Sequence, residues 1–366
     1  MTPEPPEADI LVVGDGPAAW AATLRTAQLG GRAIAFAGER GFHHECASDW
    51  LADPGLAVLQ RLLPDAAASA ASLAQISLHD AKLEQRVDVA ADGWSLAVIR
   101  LAELHELFKD ALSQFEIAAQ AVPIEQVTAA EAGVAVETAA DETATGAMLL
   151  LDDAATSASA DRIGLLSAGR AETAVRGWQA VYAADAEETA MHIVVQPAPG
   201  VNLCAILLHH GGATVTTTGT AVDEDLAATT RTTVQRLADA GVIAMKARDV
   251  LAERLLPCGA AVEMENHVGK RSVLIGQAGG FVAAFSGEGL YASMRSGVLA
   301  SELAMKAAGA TWPQDTLARF GATWRRELAE HLRMPNTDLG MLLPLVFRNE
   351  QMARRLVRAF VLGRDF

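Results

Sequence analysis

Two glycine-rich corners stand at opposite ends of this 366-residue chain, Gly14-Asp15-Gly16-Pro17-Ala18-Ala19 and Gly276-Gln277-Ala278-Gly279-Gly280 running on to Ser286-Gly287-Glu288-Gly289-Leu290. Each follows a short apolar run and opens an apolar helix. Ile10-Leu11-Val12-Val13 is continuous and rich in branched residues, the pattern of a buried parallel strand. Val273-Leu274-Ile275 repeats that pattern before the second corner. A strand–glycine turn–helix unit used twice, about 260 residues apart, constrains the chain to an α/β fold whose sheet begins near residue 8 and is completed near residue 275.

The first corner reads as a dinucleotide fingerprint. Gly14 permits the tight turn, Gly16 lets backbone approach a pyrophosphate, and the small Ala19 lets the helix from Pro17 sit close to the strand. The helix N-terminus, with Pro17 and Ala18, supplies N–H groups and the positive end of a dipole. The alternative is a glycine turn with no ligand. Asp15 brings a negative charge to the turn, which costs little if it points outward and opposes an anionic ligand if it points inward. The next strand, Arg32 to Phe36, ends at Ala37, where a ribose-binding carboxylate is expected. Glu39-Arg40 lies just beyond and would serve if the strand carries a small insertion; otherwise it is a solvated loop pair. A second corner so far away suits one long, two-ended ligand, which points to a flavin dinucleotide (FAD).

Composition excludes other classes. Forty-five Asp and Glu against 29 Lys and Arg leave a net charge of −16, which opposes nucleic-acid binding. Three widely spaced cysteines, Cys46, Cys204 and Cys258, read as reduced thiols in a cytoplasmic setting. The acidic, proline-rich start is no signal peptide. No run of about 20 apolar residues offers a membrane span, and no repeat is evident. His43-His44-Glu45-Cys46 holds metal-capable side chains, but neighbours in an extended loop face opposite ways, so no metal site is expected.

Along the chain, helices are expected near 54–63 and 101–114. A hairpin over 76–99 is expected to turn at Ala91-Asp92-Gly93. Further strands lead to Met148-Leu149-Leu150-Leu151, followed by Asp152-Asp153. From about 176 to 264 the pattern is that of a separate antiparallel sheet interrupted by one helix near 223–240. The resulting division is a discontinuous nucleotide-binding domain (8–75, 100–170 and 265–310), an inserted substrate domain (76–99 and 171–264) and a helical C-terminal region (311–366). The last carries nine arginines against six acidic residues. Val346, Phe347, Leu356, Val357, Phe360 and Val361 would form an apolar face, packed on the protein itself or offered to a membrane surface or partner.

The stretch Gly276-Gln277-Ala278-Gly279-Gly280-Phe281-Val282, with Ser286-Gly287-Glu288-Gly289-Leu290-Tyr291-Ala292 and Ser296-Gly297, resembles the second FAD motif of the geranylgeranyl reductase family. That family is part of the wider p-hydroxybenzoate hydroxylase-like group. Gly14 to Ala19 is similar to the group's first FAD turn, and Glu45 to Leu51 to the cysteine-containing loop of the reductases. Arg100 is similar to an FAD-contacting arginine, Asp152 to the Ala-Asp-Gly strand end, and Trp324 to Leu328 to the reductase C-terminus. The resemblance implies a Rossmann-like FAD-binding domain with an inserted antiparallel-sheet substrate domain and a helical C-terminus. It implies that backbone N–H groups at Gly287, Glu288 and Gly289 and the following helix dipole stabilise negative charge on the flavin ring, the dipole by about 0.3–2 kcal/mol. Three features depart from the pattern. Gln277 replaces the aspartate that holds the ribityl chain, so an amide stands where a charge-assisted bond is usual. Ala283-Ala284 replaces a proline, and Val194-Val195-Gln196-Pro197 stands where the reductases carry an aromatic substrate motif.

These readings imply a cytoplasmic FAD-dependent oxidoreductase, reductase-like or monooxygenase-like, acting on a small apolar or aromatic substrate. Transient NADH or NADPH would reduce it, since no further nucleotide domain is visible. Cys46 is the candidate reactive residue; a plain buried thiol is the alternative. A partner-protein side chain as substrate, as in quinone-cofactor maturation, fits the same group. A binding subunit with weakened FAD affinity is the reading from another class.

Overall fold

Ile10 to Val13 and Met148 to Leu151 are fully buried, because the strands they form are covered on both faces. The computed structural model describes residues 6–37, 46–64, 66, 70–91, 93–152, 157–170, 173–184, 186–198, 200–220, 225–337 and 339–365. Strands Ala8–Val13, Ala33–Phe36, Thr143–Leu151 and Ser272–Leu274 pair in parallel. Ile124–Ala129 and Val134–Thr138 extend the Thr143–Leu151 strand as an antiparallel meander. Register aligns Val13 with Leu151 and Leu151 with Leu274. The carboxyl ends of three adjacent parallel strands therefore stop side by side, where the strand order reverses. Open α/β sheets bind their ligands at that place.

Helices Pro17–Gln28 and Leu290–Ala308 cover one face of this sheet. They approach closely because alanines and one glycine form the contact. A Cβ on Gly297 would collide with the Ala18 carbonyl. Val127, Val134, Val136, Ala160 and Leu165 close the other face.

The second sheet has seven strands and takes in Gln75–Asp80, Arg86–Ala90, Arg176–Ala184, Ala190–Ala198, Gly200–His209, Gly212–Gly219 and Met245–Leu256. Its pairs are antiparallel except Gln75–Asp80 with Ala190–Ala198, which run parallel. Helix Leu226–Asp239 packs on one face through Val234 and Leu237. The closing helix, Glu350–Leu362, packs on the other.

One expectation is corrected. The hairpin pairs Gln75–Asp80 with Arg86–Ala90, so it turns at 81–85 and not at 91–93. The alternating Leu96–Arg100 strand instead joins Ser48–Ala52 and Ala71–Ser72 in a separate three-stranded sheet. Period-2 alternation reports a half-buried strand without naming its partner. The apolar face of the C-terminal region takes the first of its two readings and packs on the protein itself. Val346, Leu356, Val357, Phe360 and Val361 are buried against Trp50, Phe285 and the second sheet. No helix among the described residues is long and apolar enough to cross a membrane.

Candidate active site

Asp152 follows the central strand end directly and is 2% exposed. Its backbone N–H donates to the Val13 carbonyl at 2.8 Å. Its carboxylate then reaches both glycine corners. Oδ2 accepts from the Ala19 N–H at 3.0 Å and Oδ1 from the Gln277 N–H at 3.2 Å. One side chain thus ties the first turn of helix Pro17–Gln28 to the second corner. The crowding explains the glycines. At Gly14 (φ +132°) a Cβ would meet the Asp152 carbonyl oxygen at 2.5 Å, and at Gly16 it would meet Oδ2 at 2.5 Å. Gly16 has no side chain with which to cap the helix, and Asp152 caps its first turn from outside through the Ala19 N–H.

A narrow cleft, open to solvent, runs from this tie to the second sheet. Asp15, Gly16, Pro17 and Asp152 line its near end, and Gln277 its middle. Gly287, Gly289, Val282 and Leu290 line the far end, facing Gln179, Arg254 and Leu256 of the second sheet. The two corners therefore share one channel. Asp15 turns toward the helix face, where the Trp20 indole N–H donates to it at 3.0 Å and His105 stands 3.9 Å away. Gly276 sits beside Asp152, and its N–H donates to Ser296 Oγ at 3.0 Å.

The far end holds more charge than the sequence suggested. Arg254 Nε and Nη2 donate to the Gln179 side-chain oxygen Oε1 at 2.9 and 2.6 Å. With the Gln277 amide oriented so that its oxygen faces the guanidinium, Arg254 Nη1 donates to it at 2.8 Å. Gln179 is fixed in turn by its own amide, which donates to Thr216 Oγ1 at 3.2 Å. Gln277 is therefore part of a polar chain that crosses the cleft from the second sheet to the second corner.

The helix N-terminus at Gly289 is met by the chain's own carboxylates. Asp49, on strand Ser48–Ala52, accepts from the Gly289 and Trp50 N–H groups. Burial, and then the nearby Glu288 charge, push the Asp49 carboxyl well above its ordinary range, while Arg254 pulls the other way. Glu288 is buried behind the turn. Its Oε1 accepts from the Tyr291 N–H at 2.6 Å, and its Oε2 lies 2.7 Å from His331 Nε2. Glu288 lines a separate small recess with Trp50, Tyr291 and His331. At Gly287 (φ +71°) a Cβ would collide with Thr216 Cγ2, so this glycine docks the turn on the second sheet.

The remaining candidates lie apart. Arg100 ends the small-sheet strand at the surface and pairs with Glu103. Cys46 packs against Gly212 and is not among the residues that line the cleft. Glu39, Arg40, His43, His44 and Asp153 fall outside the described residues. Among the described residues, no cluster of three or more His, Cys, Asp or Glu could hold a metal ion. Asp49, Gln179 and Arg254 escaped the sequence reading because they come from three strands joined only by tertiary pairing. The one cross-strand register that matters is Gln179 opposite Arg254.

The residues fit a flavin dinucleotide at the near end and middle. A cleft joins the first turn of a helix, where Asp152 already holds the Ala19 N–H, to a second corner through polar groups able to meet sugar and phosphate oxygens. They depart from the expected pattern at the far end, where Asp49 and Glu288 hold N–H groups of the second helix.

No family profile matches this sequence, and no curated protein matches it in sequence. Solved structures do match its fold. A geranylgeranyl bacteriochlorophyll reductase-like protein from Thermoplasma acidophilum superposes with a TM-score of 0.69 at 13% identity, over 97% of this chain and 86% of its own. The tetrameric form of a 2-methyl-3-hydroxypyridine-5-carboxylic acid oxygenase gives 0.64 at 14% identity, over 98% of both chains. The peptidyl tryptophan dihydroxylase QhpG, essential for tryptophylquinone cofactor biogenesis, gives 0.59 at 17% identity over 88% of this chain and 74% of its own. The chain therefore has the fold shared by the reductase-like and hydroxylase-like flavoproteins, with a discontinuous parallel sheet, an inserted second sheet and a helical C-terminal region.

Proposed function

We propose that this protein is an FAD-dependent oxidoreductase whose cleft takes the dinucleotide along the line from Gly16 to Gly289. One observation carries the reading: both glycine corners and Asp152 bound a single cleft at the reversal point of a parallel sheet. Gly14, Gly16, Pro17, Ala18 and Ala19 would hold the phosphates, and Gly276 and Gln277 the ribityl chain. Gly287 and Gly289 would flank the ring, while Glu288 faces the recess behind the turn. Leu256, Val282 and Leu290 exclude water from the far end. When bound, a flavin would supply two-electron redox chemistry, accepting electrons from NADH or NADPH and passing them to substrate or dioxygen.

The substrate is a small apolar or aromatic molecule, or a side chain presented by a partner protein. Likeness to an oxygenase of a small aromatic molecule and to a peptidyl tryptophan dihydroxylase supports both forms. The reductase-type substrate motif is missing from the sequence, which favours oxygenation over double-bond reduction. A cytoplasmic site of action fits the free thiols.

Purified protein should be yellow, with absorbance near about 450 nm, and bleach anaerobically with NADH or NADPH. A second reading has its own support. The far-end N–H groups already bonded to Asp49 and Glu288 favour a binding subunit that has kept the fold and lost the cofactor. A colourless protein that takes up no FAD on titration decides for that subunit and against the enzyme.

A further inference from the structure

We propose that the outer face of the closing helix, Glu350–Leu362, docks a short acidic segment of a partner protein. None of the residues involved lines the cleft, so the proposal stands whether or not the cleft takes a flavin. The inner side of the helix is occupied: Ala353, Leu356, Val357, Phe360 and Val361 are buried in the core cluster under the second sheet. The outer side carries Arg354, Arg355 and Arg358 at helical spacing, all exposed, with exposed Arg348 and Arg364 just before and after the helix. From residue 339 to the end, five arginines stand against two acidic residues, a net of +3. The whole chain is −16, which leaves −19 for the remainder. The two acidic residues do not neutralise the stripe. Glu350 reaches Arg354 at 3.5 Å, and Asp365 is held by Arg333 and Asn336. Arg348, Arg355, Arg358 and Arg364 form no ion pair or hydrogen bond with any of the described residues.

Helix stability does not account for this arrangement. Like charges three and four residues apart repel one another. The last turn, where the helix dipole favours a cation, holds no basic residue. An anionic partner would relieve the repulsion. Guanidinium forks meet carboxylates through paired hydrogen bonds. The helix has 13 residues and is about 20 Å long, the span of about six residues of extended chain. Helix Leu339–Val346 buries Leu343 and Val346 in the same core cluster and exposes Met341 and Leu345. Apolar groups therefore stand on the outer surface beside the arginines, and carboxylates interrupted by an apolar side chain suit it. Size favours a peptide over a membrane or a nucleic acid. At physiological salt a charge is felt over about 8 Å. A short segment lies within that reach of the arginines alone, whereas a lipid surface or a long polyanion also meets the remainder of the chain, whose −19 repels it.

The test is fluorescence anisotropy at physiological salt with a fluorescein-labelled peptide of glutamates interrupted by leucines. The full-length protein should bind it saturably. The pair Arg355→Glu and Arg358→Glu should weaken binding by at least about tenfold. The pair Arg61→Glu and Arg176→Glu makes the same charge change at exposed positions on other elements and should alter binding by less than about twofold. Where the reversed pair at 355 and 358 does not fold, Arg355→Gln with Arg358→Gln decides, with an expected loss of at least about threefold. Equal losses in the two reversed pairs would mean that net charge alone attracts the peptide, and would overturn the site. So would a wild-type protein with no saturable binding. Tighter, Arg355- and Arg358-dependent binding of phosphatidylserine-containing vesicles or of single-stranded DNA would give the face to a membrane or a nucleic acid instead. Self-association of the wild type, abolished by the reversed pair, would give it to a second copy of the chain. Each of these results overturns the acidic-peptide surface and leaves the flavin reading, which the colour of the protein tests, as it stands.

Discussion

Asp152→Ala tests how the two corners are joined. The carboxylate satisfies two backbone donors, Ala19 N–H at 3.0 Å and Gln277 N–H at 3.2 Å. Removing it leaves both without this acceptor. A buried donor left unsatisfied costs about 1–3 kcal/mol. The site borders a cleft, so water can replace part of the loss. The expected destabilisation is thus in the lower part of the combined range, about 2–4 kcal/mol. Asp152→Asn keeps one acceptor oxygen and should cost about half as much. Equilibrium urea unfolding read by Trp fluorescence gives the difference, provided the slope is unchanged. A double-mutant cycle sharpens the test. Gly16→Ala drives a Cβ into Asp152 Oδ2 at 2.5 Å, a clash that disappears in the Asp152→Ala background. The cost of Gly16→Ala should fall by at least about 1 kcal/mol there. Additive effects, or an Asp152→Ala loss under about 0.5 kcal/mol, would refute the tie.

Burial lowers His192 and His267 from 6.5 to about 4. The unfolded chain therefore takes up protons below about pH 6.5 that the folded chain refuses until about pH 4. Stability present above pH 6.5 should fall through that window by up to about 3 kcal/mol per histidine and then level off; urea midpoints that do not move between these limits contradict this. Gly297→Val should destabilise by about 1–3 kcal/mol, seen as a lower melting temperature, because the added atoms meet the Ala18 carbonyl between two closely packed helices. Cys46→Ser should leave FAD content and the visible spectrum unchanged, since the thiol packs at Gly212 outside the cleft lining; loss of flavin from that variant argues that the loop reaches the cofactor.

Particular residues show why some of this was legible beforehand. Ile10 to Val13 and Met148 to Leu151 are unbroken apolar runs because both faces of their sheet are covered. The helices opening at Pro17 and Leu290 followed from the glycine turns before them. Leu96 and Val98 misled because alternation looks the same whichever strand lies alongside. Asp49, Gln179 and Arg254 carried no local mark. An arginine on a strand reads as solvent-facing until the opposite sheet is known to close over it. Gln277 was visible as a departure, but its partner lay 23 residues away on another layer.

The Asp152 strap spans 133 residues to Ala19 and 125 to Gln277. A chain emerging from the ribosome consequently cannot complete this pocket until residue 277 has cleared the exit tunnel. Pocket assembly is thus among the last events of folding, delayed by the closure of two long loops. Any molecule that lodges there grips the beginning, middle and end of the polypeptide at once, so its binding energy is felt by the whole native state.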